Sequence, residues 1–193
     1  MGLTITKEEL SQLESEKYRG KICIADNAVA VDNAVDYLSH QPVIGFDTET
    51  RPSFRKGSLH KVALIQMATE EFCFLFRING GEFYEPLIEL LSNSSVQKIG
   101  LSLRDDFHNL HRGIRFEPQG FIDLQKIISN YGIDEMSLTK IYALLFKKKI
   151  SKNQRLTNWE AETLTEAQKH YAALDAWACL NIYKKLCRMQ KSI

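Results

Sequence analysis

Long apolar runs are absent from this chain. No stretch reaches the roughly 18 consecutive apolar residues that a membrane span requires, and Met1 to Lys21 carries Lys7, Glu8, Glu9, Glu14 and Glu16 where a secretory signal would need an apolar segment. The expectation is a soluble chain with no membrane partner that stays inside the cell, cytoplasmic or, in a eukaryote, nuclear. Its four cysteines, Cys23, Cys73, Cys179 and Cys187, form no C-x-x-C pair, which excludes a zinc knuckle and points to reduced thiols. An excess of either charge is also missing. With 25 Lys and Arg against 24 Asp and Glu, the net charge is +1, so any attraction for a polyanion has to be local. The four prolines are scattered singly and no repeat or Pro/Gly-rich linker divides the chain, so one domain over residues 1–193 is expected. Gly-rich phosphate loops of the nucleotide-triphosphate and dinucleotide types are absent. Gly100-Leu101-Ser102-Leu103-Arg104 misses the G-x-S-x-G elbow at its last position, and His108 and His111 have no third partner spaced for zinc.

What is present is an α/β pattern. Val43 to Asp47 (VIGFD) reads as a buried strand that ends on an acid, followed by a polar loop at about residues 48–60. Lys61 to Ala68 and Glu71 to Phe76 are strand-like runs so close together that they predict an antiparallel hairpin, closed by Gly80 and Gly81. A helix is expected over Glu85 to Ser92, a strand over Val96 to Gly100, a helix near residues 104–112 and a last strand at Phe121 to Leu124. Beyond that the pattern is helical, with Leu138, Ile141, Tyr142 and Leu145 on one face.

Several acids sit at the ends of these elements. Asp47 and Glu49 point to one side if the strand continues through them, although Glu14/Glu16 and Glu160/Glu162 show that the spacing also arises elsewhere. Asp105 and Asp106 open a helix, where they could simply complement its dipole. Thr165 and Gln168 fit a capping box, predicting a helix from there to about Met189. Within it Tyr171 and Asp175 are four residues apart and share a face. His170, five before Asp175, is turned about 140° from it, against about 40° for Tyr171. Packing alone would also account for the tyrosine. Lys147 to Lys149, Lys152 and Arg155 form the densest basic run, either a solvated loop or a phosphate-facing one. Among the aromatics that could stack unpaired bases, Phe54, Tyr84 and Trp159, Trp159 is the one to single out, with packing as its alternative role.

Phe46-Asp47-Thr48-Glu49-Thr50, the segment from Gly100 to Asp106, and Tyr171-Ala172-Ala173-Leu174-Asp175 together resemble the three exonuclease motifs of the DEDD superfamily, in its tyrosine-containing branch. Ser137-Leu138 and Lys152 to Trp159 are similar to the ribonuclease D and Werner exonuclease group. The resemblance covers a core of about residues 25–190. It implies a ribonuclease H-like fold, a five-stranded mixed sheet flanked by helices with the second strand antiparallel. It further implies that Asp47, Glu49, Asp106 and Asp175 hold two divalent cations, Mg²⁺ or Mn²⁺, while Tyr171 orients or helps deprotonate the attacking water. Asp106 rather than Asp105 matches the spacing from Gly100, but Leu101-Ser102 stands where many relatives carry His-Asn. The implied reaction is 3′-to-5′ hydrolysis of DNA or RNA with a free 3′ end, releasing nucleoside 5′-monophosphates. The alternative is a non-catalytic module of the same fold that binds nucleic acid or protein. With Ile193 soon after the last helix, weak, low-processivity action or dependence on a helper protein or helicase is expected.

Overall fold

In the computed structural model, which describes residues 2–52, 60–78 and 83–189, helix α1 (Lys7–Gln12) precedes strand β1 (Lys21–Ala25) and helix α2 (Ala28–Ser39). Strands β2 (Val43–Thr50), β3 (Val62–Ala68) and β4 (Phe72–Arg77) lead to helix α3 (Glu85–Leu91), strand β5 (Gln97–Gly100) and helix α4 (Leu103–Leu110). Strand β6 (Phe121–Asp123) is followed by helix α5 (Leu124–Ile127), a 3-10 turn, and helices α6 (Leu138–Phe146) and α7 (Glu166–Cys187). The six strands form one sheet in the order β1-β4-β3-β2-β5-β6. Only β3 runs against its neighbours; the β1/β4, β2/β5 and β5/β6 pairs are parallel.

This is the expected ribonuclease H-like mixed α/β sheet with one strand more than anticipated. The extra strand, β1, adds to the edge beside β4. Its sequence, Lys-Ile-Cys-Ile-Ala, is short and follows a polar segment that itself forms α1, where Thr6 and Glu9 make a capping box. The β3–β4 hairpin is as predicted. Its turn is held by Thr69, whose backbone N–H donates to the Phe72 carbonyl at 2.7 Å while its hydroxyl accepts from the Phe72 N–H at 3.0 Å. Gly80, Gly81 and Phe54 lie outside the described residues.

Apolar side chains cover both faces of the sheet. One core is built from Val31, Ala34 and Leu38 of α2, Leu87, Leu90 and Leu91 of α3, and Leu103 and Leu110 of α4. The other lies under Ile141 and Tyr142 of α6 and the long α7. Thr165 caps α7 with Gln168 in the predicted box, and the helix stops at Cys187, two residues short of the expected end.

The approach of α7 to the sheet depends on Gly45. A Cβ placed there would lie 1.9 Å from the Ala176 carbonyl oxygen. Hydrogen is the only substituent that fits, and it lets the helix backbone rest directly on β2 beside Asp47. Gly45→Ala is therefore expected to lower stability by about 1–3 kcal/mol or more through overpacking. Chemical denaturation checks this, and a midpoint equal to that of the wild type would refute the close-packing account.

Candidate active site

Strand β2 continues through Asp47 and Glu49 to Thr50 before its register against β3 shifts. The loop predicted at residues 48–60 therefore starts later than anticipated. Because side chains alternate along a strand, Gly45, Asp47 and Glu49 share the face on which α7 lies. Asp175, on α7, is 7% exposed. Carboxylate oxygens of Asp47, Glu49 and Asp175 all lie within 4.8 Å of one another.

Asp106 arrives differently. It stands in the first turn of α4, and Thr48, the residue between the two β2 acids, donates its hydroxyl hydrogen bond to Asp106 Oδ1. Strand alternation sends Thr48 to the side opposite its neighbours, so it bridges β2 to the fourth acid. Asp105 is exposed, with Arg104 3.8 Å away.

The geometry of α4 is set by a carboxylate that the sequence reading passed over. Ser102 has a left-handed backbone (φ 62°), a conformation that disfavours side chains other than Asn, Asp or Gly. Asp123, at the end of β6, accepts from Ser102 N–H at 2.9 Å, from Leu103 N–H at 3.1 Å and from Gln125 N–H at 3.0 Å. One side chain thus satisfies the start of two helices and fixes the turn from which Asp106 projects. The signal in the sequence was an acid directly before a helical run at the end of a short strand.

Burial and mutual repulsion dominate the electrostatics. Burial first, then the charges of Asp106, Glu49 and Asp175, push Asp47 far above the ordinary carboxylate range. Burial and the charges of Asp175 and Asp106 raise Glu49 to about 9, against which Arg155 pulls downward. Burial also raises Asp106 to about 6 and Asp175 to about 7, with Thr48, Tyr171 and Lys152 opposing those shifts. Asp175 Oδ1 is buried with no hydrogen-bond partner among the described residues. An orphaned anionic oxygen inside an all-oxygen donor set fits a hard divalent cation.

Asp47, Glu49 and Asp175 open into a cavity of about 260 Å³, bordered also by Tyr171, Lys152, Arg155, Leu101, Leu138 and Cys179; Asp106 is not among its lining residues. Tyr171 lies one turn before Asp175 and is 9% exposed; burial and then the charges of Asp175 and Glu49 raise its pKa. His170 is exposed. Trp159 takes the packing alternative: it is fully buried, with its ring 6.0 Å from that of Tyr171. It packs behind the tyrosine and presents no face to a base. Tyr84 is half-buried and packs against the α2–α3–α4 core. The basic run divides in two. Lys148 pairs with Glu16 at 3.1 Å and Lys149 donates to the Ser11 carbonyl at 2.5 Å, tying down the N-terminal segment, whereas Lys152 and Arg155 face the acids. All four cysteines are free thiols, and burial followed by the neighbouring acids raises the Cys179 thiol far above its ordinary value.

Residues 22–191 match the family described as 3′-5′ exonuclease. The chain belongs to the 3′-5′ exonuclease family. The DEDD-type resemblance, in its tyrosine branch, therefore holds. Among curated relatives of this family, the mouse (Mus musculus) bifunctional 3′-5′ exonuclease/ATP-dependent helicase WRN is 35% identical over 155 residues, covering 77% of this chain and 11% of that protein. A 3′-5′ exonuclease of Arabidopsis thaliana is 32% identical over 189 residues, covering 88% of this chain and 65% of that one. The chain thus spans only part of these relatives. Solved exonuclease structures share the fold: the Aedes aegypti Nibbler EXO domain superposes with a TM-score of 0.78 at 22% identity, covering 92% of this chain and 95% of that one. Escherichia coli RNase D gives 0.75 at 24% identity, covering 88% and 44%. No helix among the described residues is long and apolar enough to cross a membrane.

The raised carboxyl pKa values carry a consequence for stability. Without cations, the folded chain retains protons on Glu49 and Asp175 that the unfolded chain gives up near pH 4, so the folded state binds more protons and loses stability as pH rises from about 4 through the folded values. Cations relieve that penalty. The gain in melting temperature on replacing EDTA with Mg²⁺ or Mn²⁺ should be larger at about pH 8 than at about pH 5.5; a gain that is equal or smaller at the higher pH would contradict this.

Proposed function

We propose that the chain acts as one exonuclease domain that hydrolyses the last phosphodiester of a DNA or RNA strand from its 3′ end, with Asp47, Glu49, Asp106 and Asp175 holding two divalent cations, Mg²⁺ or Mn²⁺. The observation that carries this reading is the convergence of buried carboxylates from β2 and α7, with an oxygen left unpartnered, in a chain of the 3′-5′ exonuclease family. Bound cations would supply Lewis acidity and positive charge at the attacking and leaving oxygens of an in-line displacement.

The chain's own residues do the rest. Tyr171 orients the attacking water through its hydroxyl, and the buried Trp159 ring keeps the phenol in place. Lys152 and Arg155 border the cavity with the acids and meet the non-bridging oxygens of the phosphate. Thr48 and Asp123 hold Asp106 in position. Water adds its oxygen to phosphorus and the bond from phosphorus to the 3′ oxygen of the preceding nucleotide breaks. The phosphate leaves on the released nucleoside 5′-monophosphate, and the shortened strand regains a 3′ hydroxyl.

The substrate reading includes both sugars. The name of the Mus musculus relative joins an exonuclease to an ATP-dependent helicase, which supports a helicase as the helper partner. A solved relative, RNase D of Trypanosoma brucei, is titled as a complex with RNA U12, which supports RNA as a substrate class.

End-labelled single-stranded DNA, recessed-end duplex and RNA, each titrated with Mg²⁺ and Mn²⁺, test the assignment. Stepwise shortening from the 3′ end that EDTA stops is expected. Asp47→Ala should slow it by about a thousandfold or more, the several kcal/mol of cation-dependent stabilisation, while strand binding persists. Tyr171→Phe should lower kcat on the order of a hundredfold with KM little changed. Hydrolysis by Asp47→Ala at the wild-type rate would remove this acid from the reaction, whereas strand binding without hydrolysis by the wild type would leave a binding module as the better description.

A further inference from the structure

Gln66 of β3 is fully buried, and neither its amide nitrogen nor its amide oxygen has a hydrogen-bond partner among the described residues. The antiparallel register of β2 and β3 places it directly opposite Asp47, with Ala68 opposite Gly45 and Leu64 opposite Glu49. Residues opposed in this way point to one face, with Cβ atoms roughly 5 Å apart, so the Gln66 side chain lies under α7 beside the acids. On the other side its neighbour is Leu75 of β4. Leu64, Ala68 and Leu75 are fully buried in the core beneath α7. Of the positions next to Gln66 on this face, along its strand and directly across from it, Asp47 alone is polar.

A buried amide without a partner is costly, because it has given up its hydrogen bonds to water and gained none. Leucine or methionine would fill a similar volume without that cost. Buried polar groups in native proteins nearly always have a partner, and the polar group beside this one is a carboxylate. Asp47 Oδ1 accepts from the Thr48 backbone N–H at 2.9 Å, a contact within β2 itself, and among the described residues no β3 side chain donates to it. An amide suits this place better than a cationic side chain would. It can orient the carboxylate without neutralising it, so the acid keeps its charge for a divalent ion.

We propose that Gln66 is the positioning residue for Asp47: its amide N–H donates to the Asp47 carboxylate and fixes the rotation in which that acid meets a divalent cation. The role given to Asp47 rests on the exonuclease reading, whereas the place of Gln66 rests on strand register. Because the register already sets the two side chains against each other, the contact calls for rotation of side-chain bonds and no movement of the strands. In the cation-free chain the same amide is a burden on stability, and its value shows only when Asp47 has an ion to hold.

The test measures manganese binding, which needs no turnover. Mn²⁺ is titrated into the wild type, Gln66→Met and Gln66→Leu, with free Mn²⁺ read by electron paramagnetic resonance, and each variant is first melted in EDTA. Both variants should melt at or above the wild-type temperature, since each removes an unpartnered buried amide. Both should nevertheless bind Mn²⁺ about tenfold more weakly, the usual effect of losing a group that orients a metal ligand. Leu75→Met, which repacks the other side of Gln66 and keeps its amide, should bind as the wild type does. Unchanged affinity in the folded Gln66 variants, equal weakening by Leu75→Met, or a wild type that binds no Mn²⁺ overturns the proposal. If both Gln66 variants melt far below the wild type, the crystal structure of the wild type soaked in Mn²⁺ decides. Gln66 Nε2 within about 3.2 Å of an Asp47 oxygen supports the assignment, and no such contact overturns it. A wild type that binds Mn²⁺ but shortens no strand refutes the exonuclease reading, and the manganese comparison still decides the role of Gln66.

Discussion

The structure is organised around a repulsion. Acids that are distant in the chain are brought together out of bulk water, and the charges of Asp106 and Asp175 make Asp47 and Glu49 harder to ionise. A fold selected for stability alone would replace such a cluster with apolar groups or pair it with buried arginine. Here the nearest cations, Lys152 and Arg155, stand at the exposed rim. The cluster is left short of positive charge, a deficit suited to hard divalent ions. The rest of the fold can be read as the apparatus that holds these acids together.

Three devices serve that purpose, and each acts at the backbone. Gly45 removes the side chain that would keep α7 away from β2, so Asp175 comes down onto Asp47 and Glu49. Thr48 uses the alternation of the same strand to reach across to Asp106. Asp123 secures the left-handed turn at Ser102 with hydrogen bonds to successive amides. Behind the site, Trp159 backs Tyr171, and Lys148 and Lys149 anchor the N-terminal segment to the loop that follows α6.

Much of this was legible in the sequence because it is local. The VIGFD strand, the β3–β4 hairpin and the capped α7 each announce themselves through periodicity or a cap, and the helical phase between positions 171 and 175 was enough to prefer Tyr171 over His170. Strand β1, helix α1 and helix α2 were missed, the last despite its Asn27 cap, the first two because their local signals are weak. Strand β1 is short and half-exposed at the sheet edge, so its existence depends on pairing with β4, a partner far along the chain. Helix α1 carries no buried residue. Trp159 was left open between stacking and packing because an aromatic in a basic, polar loop looks the same in sequence whether it faces solvent or the core. Thr48 and Asp123 are ordinary residues whose roles exist only after the strands and helices have been assembled.

Anomalous diffraction from crystals soaked in Mn²⁺ examines the central claim most directly, because it locates the ions without reference to activity. The account predicts manganese peaks held by Asp47, Glu49, Asp106 and Asp175. Peaks bound elsewhere, or none at saturating manganese while the acids keep the arrangement described above, would contradict it.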